Sequence, residues 1–265
     1  MSTLEGSKQI RNKNILFYFD AANTKSYDGF SNTGRSLVLG TTASLLTGVT
    51  WSGSDSFGAM AFNGTYSLAA ATYSVDSWIT CGNRVSLLAP TFPITLEVWI
   101  KPNATGVVSP VNQGVFSLDS PEQYPGNYWG AAIDITANDG SDTFAISTGY
   151  FNGFSAGADG RRSTISSSRH VKAGEWSHIA AVIENTTTIS IYYNGDLVSN
   201  VGLSGTAASM NWNGGNTTIG KSTGYYKYLL NGKVGMVRAY NATLTATNIK
   251  ENYNLHARRF GLTTK

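Results

Sequence analysis

Residues 174–198 read Gly-Glu-Trp-Ser-His-Ile-Ala-Ala-Val-Ile-Glu-Asn-Thr-Thr-Thr-Ile-Ser-Ile-Tyr-Tyr-Asn-Gly-Asp-Leu-Val, and this stretch decides the fold class. Residues 176–183 and 188–193 are rich in β-branched and aromatic side chains, and the second run alternates between apolar and polar positions. Such alternation is typical of half-buried strands. Asn194 and Gly195 tolerate the positive φ angles of a type I′ hairpin turn. We therefore predict three antiparallel strands whose apolar face is covered by a second layer.

Similar strand patterns recur outward from this stretch, separated by Gly, Asn and Asp turn clusters. In residues 95–101, three aliphatic side chains share one face, whereas Glu97, Trp99 and Lys101 share the other. One helix is predicted at residues 244–255, with Thr245 as its N-cap. The remaining strands are predicted at residues 15–19, 36–39, 49–51, 59–62, 114–118, 130–136, 143–148, 162–165 and 233–240.

Composition narrows the class of protein. Charged residues make up only 13% of the chain and glycines number 29, which is typical of many short strands joined by tight turns in a protein that works within an assembly or outside a cell. A net charge of +3 with no basic stripe argues against nucleic-acid binding. The single Cys81 excludes an internal disulfide and is read as a small buried hydrophobe.

No targeting or membrane segment is visible in the sequence. Residues 1–14 are polar and weakly basic without an apolar core, so we predict no signal peptide. No run approaches the about 18 apolar residues that a membrane-spanning helix needs. We therefore expect a protein that is made soluble in a cytoplasm and does not insert into a membrane.

Three stretches resemble one superfamily, in the same order along the chain. The runs W-S-H-I-A-A-V and I-S-I-Y-Y-N-G within residues 176–195 resemble the core strands of the laminin G-like, concanavalin A-like lectin/glucanase superfamily. Residues 232–253 are similar to its last strand and closing helix. Residues 19–29, Phe-Asp-Ala-Ala-Asn-Thr-Lys-Ser-Tyr-Asp-Gly, resemble the opening of the version found in tailed-phage structural proteins.

This resemblance implies an all-β, concanavalin A-like (laminin G-like) jelly-roll sandwich of two antiparallel sheets with one short C-terminal helix. We expect that domain at residues 15–265, after a polar N-terminal arm at residues 1–14. The implied function is a non-enzymatic virion protein of a tailed phage, such as a capsid decoration, a head fibre or a tail-fibre part. Its expected partners are other virion proteins, further copies of itself in an oligomer or lattice, and a host surface glycan. A carbohydrate-binding adhesin module and a glycan hydrolase are the alternatives.

Paired carboxylates would be the mark of the hydrolase. Retaining glycosidases hold two carboxyl groups about 5 Å apart. The Glu-x-Asp-x-x-Glu strand pattern of this superfamily's hydrolases is absent, and Asp134 has no acidic neighbour two positions away. His170 and His178 are eight residues apart, and we read His178 as a structural histidine. We predict no catalytic residues and no enzymatic activity.

Calcium is the one cofactor that the resemblance suggests. Asp134, Asp139 and Asp142 are its candidate ligands, since calcium takes six to eight oxygen atoms from closely spaced acids and carbonyls. An Asn-Asp-Gly-Ser-Asp run is also an ordinary hairpin turn, and that reading leaves the protein without a cofactor.

Aromatic side chains in Gly- and Asn-rich loops are the best indication of a binding face. Rings in such loops stack on sugars or anchor protein interfaces, although packing at the edge of the core is the alternative. The candidate binding residues are Tyr124, Tyr128, Trp129, Tyr150, Phe151, Phe154, Trp212, Tyr225, Tyr226 and Tyr228.

Overall fold

A computed structural model describes residues 14–38, 42–45, 48–55, 57–64, 66–67, 72–73, 77–104, 111–120, 128–137, 142–154, 158–222 and 228–265. The helices in these residues are α1 (Arg84–Leu88) and α2 (Ala246–His256), and 3-10 turns occupy Ala158–Gly160 and Ala257–Phe260. The strands are β1 (Ile15–Asp20), β2 (Thr33–Arg35), β3 (Thr42–Leu45), β4 (Val49–Ser52), β5 (Ala59–Asn63), β6 (Tyr66–Ser67), β7 (Thr72–Tyr73), β8 (Ile79–Thr80), β9 (Ile94–Pro102), β10 (Val111–Ser120), β11 (Trp129–Ala137), β12 (Thr143–Asn152), β13 (Arg161–Ile165), β14 (Val171–Lys172), β15 (Ser177–Ile183), β16 (Ile189–Tyr193), β17 (Asp196–Val198), β18 (Asn216–Ile219) and β19 (Asn231–Tyr240).

Two antiparallel sheets form the body of the protein. The first sheet has the order β17-β16-β15-β9-β19-β5-β4, and β1 pairs with β19 beside β5. The second sheet has the order β13-β12-β11-β10-β18-β8-β3-β2, and β14 pairs with β12. Strands β6 and β7 form a separate two-stranded antiparallel sheet. This architecture, with α2 near the C-terminus, confirms the predicted all-β sandwich.

The main core lies between the two sheets. Leu96, Val98 and Ile100 of β9 are fully buried together with Ile133 and Ile135 of β11. This is the facing that alternation predicted for β9, because side chains two positions apart point to the same face of a strand. Burial of these aliphatic side chains is the main term that favours the sandwich.

Residues 174–198, the stretch that decides the fold class, contain the predicted three-stranded meander. Strands β15, β16 and β17 pair as consecutive antiparallel neighbours. The turn between β16 and β17 has φ angles of 48° at Asn194 and 84° at Gly195, as a hairpin with two positive φ positions requires. The Asn194 side chain also accepts a hydrogen bond of 2.8 Å from the backbone of His178. Ile191 is fully buried in the main core, as predicted.

Helix α2 covers the outer face of the first sheet. Thr245 caps it in a reciprocal capping box with Asn248, which confirms the predicted N-terminus. Ile249 and Tyr253 turn towards the sheet, and the Tyr253 ring stacks on Trp99 with the ring centroids 5.7 Å apart. The first sheet is therefore buried on both faces where α2 crosses it.

A cluster of polar side chains is sealed beneath α2. Glu97 is only 2% exposed, and its carboxylate accepts hydrogen bonds from Tyr240 at 2.9 Å and Asn252 at 3.0 Å. His178 lies 3.5 Å and Arg238 3.6 Å from its oxygens. Burial alone would raise the pKa of Glu97, but His178 and Arg238 hold that pKa below its usual range. His178 thus belongs to a structural polar cluster that joins the helix to the sheet.

Some local predictions differ from the structure. Residues 36–38 form a bend and not a strand, because Ser36 uses its hydroxyl to accept a hydrogen bond from the backbone of Tyr18 at 3.2 Å. The five-residue helix α1 was not predicted, since its sequence lacks a helical period of useful length. Cys81 is fully buried, as expected. Residues 1–13 of the predicted arm lie outside the described residues. No helix in the described ranges is long and apolar enough to cross a membrane.

Candidate functional site

Aromatic side chains gather where β11 begins and β12 ends. Trp129 pairs with Asn152 and Gly130 pairs with Phe151, so the start of β11 and the end of β12 lie together at one corner of the second sheet. The rings of Tyr128 and Phe151 lie 5.2 Å apart between centroids. We call Tyr128, Trp129, Phe151 and Phe154 the aromatic corner.

Two glycines make room for the indole rings at this corner. A Cβ atom at Gly153 would lie 2.0 Å from the Trp129 ring, so the ring packs directly on the glycine backbone. A Cβ atom at Gly130 would likewise lie only 2.9 Å from the Trp212 ring. Both glycines have positive φ angles, 82° at Gly153 and 65° at Gly130, which a larger residue adopts at a cost. The backbone at Gly153 therefore fixes the place of the Trp129 ring, and the backbone at Gly130 fixes the place of the Trp212 ring.

The segment before β18 fastens the two strand ends together. The backbone N–H of Asn211 donates to the carbonyl of Phe151 at 3.0 Å, and the carbonyl of Asn211 accepts from Gly130 at 2.8 Å. The Asn211 side chain donates to the carbonyl of Asn152 at 2.9 Å. Next to it, the Trp212 indole donates to the carbonyl of Pro90 at 3.0 Å and packs against the main core. Trp212 thus forms the half-buried floor beside the aromatic corner.

A buried carboxylate anchors this same segment. Asp119 is completely buried, and its Oδ2 accepts hydrogen bonds from the backbone of Asn213 at 2.6 Å and from the hydroxyl of Ser86 at 2.9 Å. The Ser86 hydroxyl in turn accepts from the backbone of Gly214 at 2.8 Å. Burial raises the pKa of Asp119, whereas the bonds from Asn213 and Ser86 lower it. Asp119 therefore positions the loop that carries Trp212.

The outermost part of the corner is apolar with polar edges. Phe154 is 73% exposed, whereas Tyr128, Trp129 and Phe151 are half-buried. The Asn152 side chain fixes the turn below them, because it accepts from the backbone of Phe154 at 3.0 Å and donates to the carbonyl of Asp159 at 2.9 Å. An exposed ring held by a rigid turn loses little conformational freedom when it meets a ligand.

The other candidate binding residues do not join the corner. Tyr150 is fully buried in the core, where its hydroxyl donates to the carbonyl of Ala207 at 2.6 Å, so it cannot contact a ligand at the surface. Tyr228 lies against Gly114, whose backbone N–H donates to its carbonyl at 3.2 Å. Gly114 pairs with Asp134, and Asp134 is five positions from Trp129 along β11. Tyr228 therefore lies about 16 Å from Trp129 in the strand direction. Tyr124, Tyr225 and Tyr226 lie outside the described residues.

The candidate calcium ligands are separated in the structure. Asp134 faces the segment at Ser222, and burial raises its pKa to about 7 although a hydrogen bond with Ser222 opposes this. Asp134 pairs with Ser147 of β12. Asp142 is exposed and lies five positions before Ser147 in the chain, which corresponds to about 16 Å. Asp139 lies outside the described residues. Within the part of the chain that the structure describes, no three His, Cys, Asp or Glu side chains are grouped to hold a metal ion.

Buried carboxylates in the second sheet are also far apart. Asp119 lies at the Gly130 end of β11, four positions from Asp134, or about 13 Å along the strand. Glycosidases hold their two carboxyl groups about 5–9.5 Å apart. Glu97, another buried acid, lies on the outer face of the other sheet beneath α2. These three acids therefore do not form a glycosidase pair.

Sequence reasoning missed the polar residues that support the corner. Asp119, Ser86 and Asn211 carry no motif, and only the folded chain brings residues 86, 119 and 213 together. The one available signal was Asp119 itself, an acid inside an apolar strand pattern, since such a residue is rarely buried without a partner.

The sequence and the fold both match known proteins. A family model described as "Concanavalin A-like lectin/glucanases superfamily" matches residues 72–250, about two thirds of the chain. No curated protein sequence matches this chain.

Solved structures with a similar fold include binding domains of bacterial proteins. The receptor-binding domain of botulinum neurotoxin type G superposes with a TM-score of 0.61 at 11% identity, over 94% of this chain and 54% of that domain. The binding domain of Paraclostridial Mosquitocidal Protein 1 gives 0.58 at 13% identity, over 94% and 55%. The chain thus spans about half the length of these two toxin domains.

A third similar structure has almost the same extent as this chain. Domain 4 of AbnA, a GH43 extracellular arabinanase from Geobacillus stearothermophilus solved in complex with arabinotriose, gives a TM-score of 0.52 at 13% identity. The superposition covers 90% of this chain and 97% of that domain. At such low identities, these three similarities establish the fold alone.

Proposed function

The chain belongs to the concanavalin A-like lectin/glucanases superfamily, and on that premise we propose that it is a non-catalytic glycan-binding component of a tailed-phage virion. The observation that carries the binding role is the aromatic corner. Its four rings stand at the start of β11 and at the end of β12, at one edge of the second sheet, and Phe154 is 73% exposed there. Sugar rings present faces of C–H groups between their hydroxyls, and aromatic rings at a polar edge match such faces.

The similar structures support a binding role more than a catalytic one. The two toxin structures are binding domains, and the arabinanase domain was solved with a trisaccharide. The botulinum type C domain is described in terms of interaction with two ganglioside molecules. By analogy with these structures, we propose that this chain also binds a glycan and that the aromatic corner is its binding site.

The virion context rests on the N-terminal resemblance and on the surface. Residues 19–29, which resemble the opening of tailed-phage structural proteins, form the end of β1 and the following turns. Asp20 in this stretch is fixed by Arg259 at 2.8 Å. Phe30, the residue that follows this stretch in the chain, is 87% exposed. Exposed apolar side chains on a chain with few charges favour contact with neighbouring subunits, and we propose that other virion proteins or further copies of this chain cover them.

Binding is tested with a matched pair of variants on a glycan array. Phe154→Ala removes the exposed ring of the aromatic corner, and Phe30→Ala removes an even more exposed ring elsewhere. An aromatic contact of about 0.5–1.5 kcal/mol corresponds to a loss of roughly 3- to 10-fold in affinity. We expect that loss for Phe154→Ala and none for Phe30→Ala. Equal losses, or a protein that binds no glycan on the array, would contradict the binding role.

The virion role is tested separately. Mass spectrometry of purified phage particles should find the chain in stoichiometric amounts, and labelled antibody should mark a fixed part of the particle. If the chain is absent from purified particles but binds glycans in solution, the adhesin reading replaces the virion reading.

A further inference from the structure

An open cavity lies away from the aromatic corner, against the outer face of the first sheet. It has a volume of about 550 Å³, within the range of roughly 300–1,000 Å³ typical of small-molecule sites. Residues 53–55 and Phe57, between β4 and β5, form one wall, and the 3-10 turn after α2 forms the other. Trp176 and Phe260 lie side by side in it, with ring centroids 4.7 Å apart. They can approach the sheet because Gly235 has no side chain there.

Positive charge predominates around this cavity. Asp55 is its one carboxylate among the described lining residues, and it faces Lys233 at 2.6 Å and Lys101 at 3.5 Å. Arg258 is exposed at the rim, whereas Arg259 is paired with Asp20. Three cations thus stand against one carboxylate, an excess of two positive charges. Lys101 and Lys233 are direct cross-strand neighbours, an arrangement that like charges disfavour without a counter-ion.

Phe57 is presented at this cavity in an unusual way. It is 79% exposed, and its φ angle of 64° lies in the left-handed region, where a bulky residue is rare. The backbone on its C-terminal side is fixed: Gly58 packs against the carbonyl of Ala21, and its own carbonyl accepts a hydrogen bond from Arg259 at 3.2 Å. Strain of this kind persists only where surrounding contacts enforce it, and it is concentrated at functional sites.

The Asp55 side chain completes the rigid frame of the cavity. Its Oδ1 accepts a hydrogen bond of 3.0 Å from the Trp176 indole, while its Oδ2 contacts Lys233. The lysines and the indole are therefore already oriented before any ligand arrives. A site that combines a fixed exposed ring with excess cations suits a ligand that has both an apolar face and a negative charge.

We propose that this cavity binds an acidic sugar, whose ring packs on Phe57 and whose carboxylate pairs with Arg258 and Lys101. Carboxylates are the natural partner of an exposed guanidinium, since two N–H groups can donate to the two oxygens. This site shares no residue with the aromatic corner, so either site can fail while the other stands.

The test compares charged and uncharged forms of the same sugar on the full-length protein. The probes are trigalacturonic acid against its methyl ester, and 3′-sialyllactose against lactose, titrated by NMR at low salt. The Trp176 indole N–H is the reporter, because it is bonded to Asp55 at the back of the cavity. We expect at least one acid to bind at least about ten-fold more tightly than its neutral counterpart, as a charge-assisted contact implies. That preference should weaken as salt is added.

Two matched pairs of variants complete the test. Arg258→Gln should weaken binding of the acid about ten-fold, whereas Arg161→Gln, at an exposed arginine of the other sheet, should not. Phe57→Ala should weaken it about 3- to 10-fold, whereas Phe30→Ala should not. All four side chains are exposed or at the rim, so folding is preserved, and thermal unfolding verifies this.

Several results would overturn the proposal. These are equal binding of acid and neutral sugar, no binding of either acid at millimolar concentration, or equal effects of Arg258→Gln and Arg161→Gln. Loss of binding with Arg258→Gln but not with Phe57→Ala would leave a simple ion site and overturn the sugar part.

Discussion

Replacement of Glu97 by glutamine tests the polar cluster beneath α2. The substitution keeps the shape and one acceptor oxygen, so Tyr240 and Asn252 keep a hydrogen-bond partner. It removes the carboxylate that pairs with Arg238, a residue that is 1% exposed and lies 3.6 Å from that carboxylate. Removal of one partner from a buried ion pair costs about 3–5 kcal/mol, because the other charge stays buried without compensation. We therefore expect the free energy of unfolding to fall by about 3–5 kcal/mol.

The pH dependence gives this prediction its sharpest form. The folded-state pKa of Glu97 is depressed, so its contribution to stability is fully present above the unfolded pKa of about 4.3 and is lost as the pH falls through the lower folded value. Urea denaturation should show the full stability difference between wild type and Glu97→Gln at pH 7 and a smaller difference towards pH 4. The control Glu184→Gln, at an exposed position, should change stability by no more than about 0.5 kcal/mol. A difference below about 1 kcal/mol at pH 7, or one that does not change with pH, would refute the argument.

Four further predictions concern the same molecule. Burial and the nearby Arg238 lower the pKa of His256 to about 2, so only the unfolded state takes up a proton at this residue near pH 6.5. Acidification from pH 6.5 to 5 therefore destabilises the wild type. The denaturation midpoint should fall less over this range in His256→Gln than in wild type. Ile191→Ala should cost about 2–5 kcal/mol in chemical denaturation, and an unchanged midpoint would contradict its place in the core. A reducing-end assay on a polysaccharide that the protein binds should detect no release of sugar; release that Asp134→Asn abolishes would favour the hydrolase. Deletion of residues 1–14 should leave the far-UV circular dichroism unchanged yet prevent incorporation into particles, and normal incorporation would remove the proposed anchoring role of the arm.

Local patterns predicted the strands of the central meander, β9 and helix α2 because the physics of these elements is local. Alternation in β9 and β16 follows from the geometry of a strand, and the Asn194-Gly195 turn follows from the φ angles that these two residues accept. Thr245 was identified as a helix cap for the same reason. None of these features depends on which distant segment lies nearby.

The burial of the outer face could not be predicted in this way. Glu97 and Tyr192 lie on the side of their strands away from the main core, yet both are buried because α2 crosses above them. The contact between Glu97 and Asn252 joins residues 155 positions apart. Only the tertiary fold decides that an apparently solvent-facing acid is enclosed in a polar cluster.

The candidate site was predicted in part for a similar reason. Loop composition singled out Tyr128, Trp129, Phe151 and Phe154, and strand pairing brings them to one corner. The same composition also singled out Tyr150, but the alternation of β12 turns it into the core. A pattern of rings in the sequence therefore indicates which loops are aromatic and not which rings face outwards.

The most direct measurement follows the indole N–H signals while a bound glycan is titrated. With the best glycan from the array, we predict that the Trp129 signal shifts in wild type, together with that of Trp212 at the floor, while the signals of Trp51 and Trp78 stay unchanged. In Phe154→Ala, the same shifts should require a roughly 3- to 10-fold higher glycan concentration. A glycan that binds while the Trp129 and Trp212 signals remain in place would contradict the assignment of the aromatic corner as the binding site.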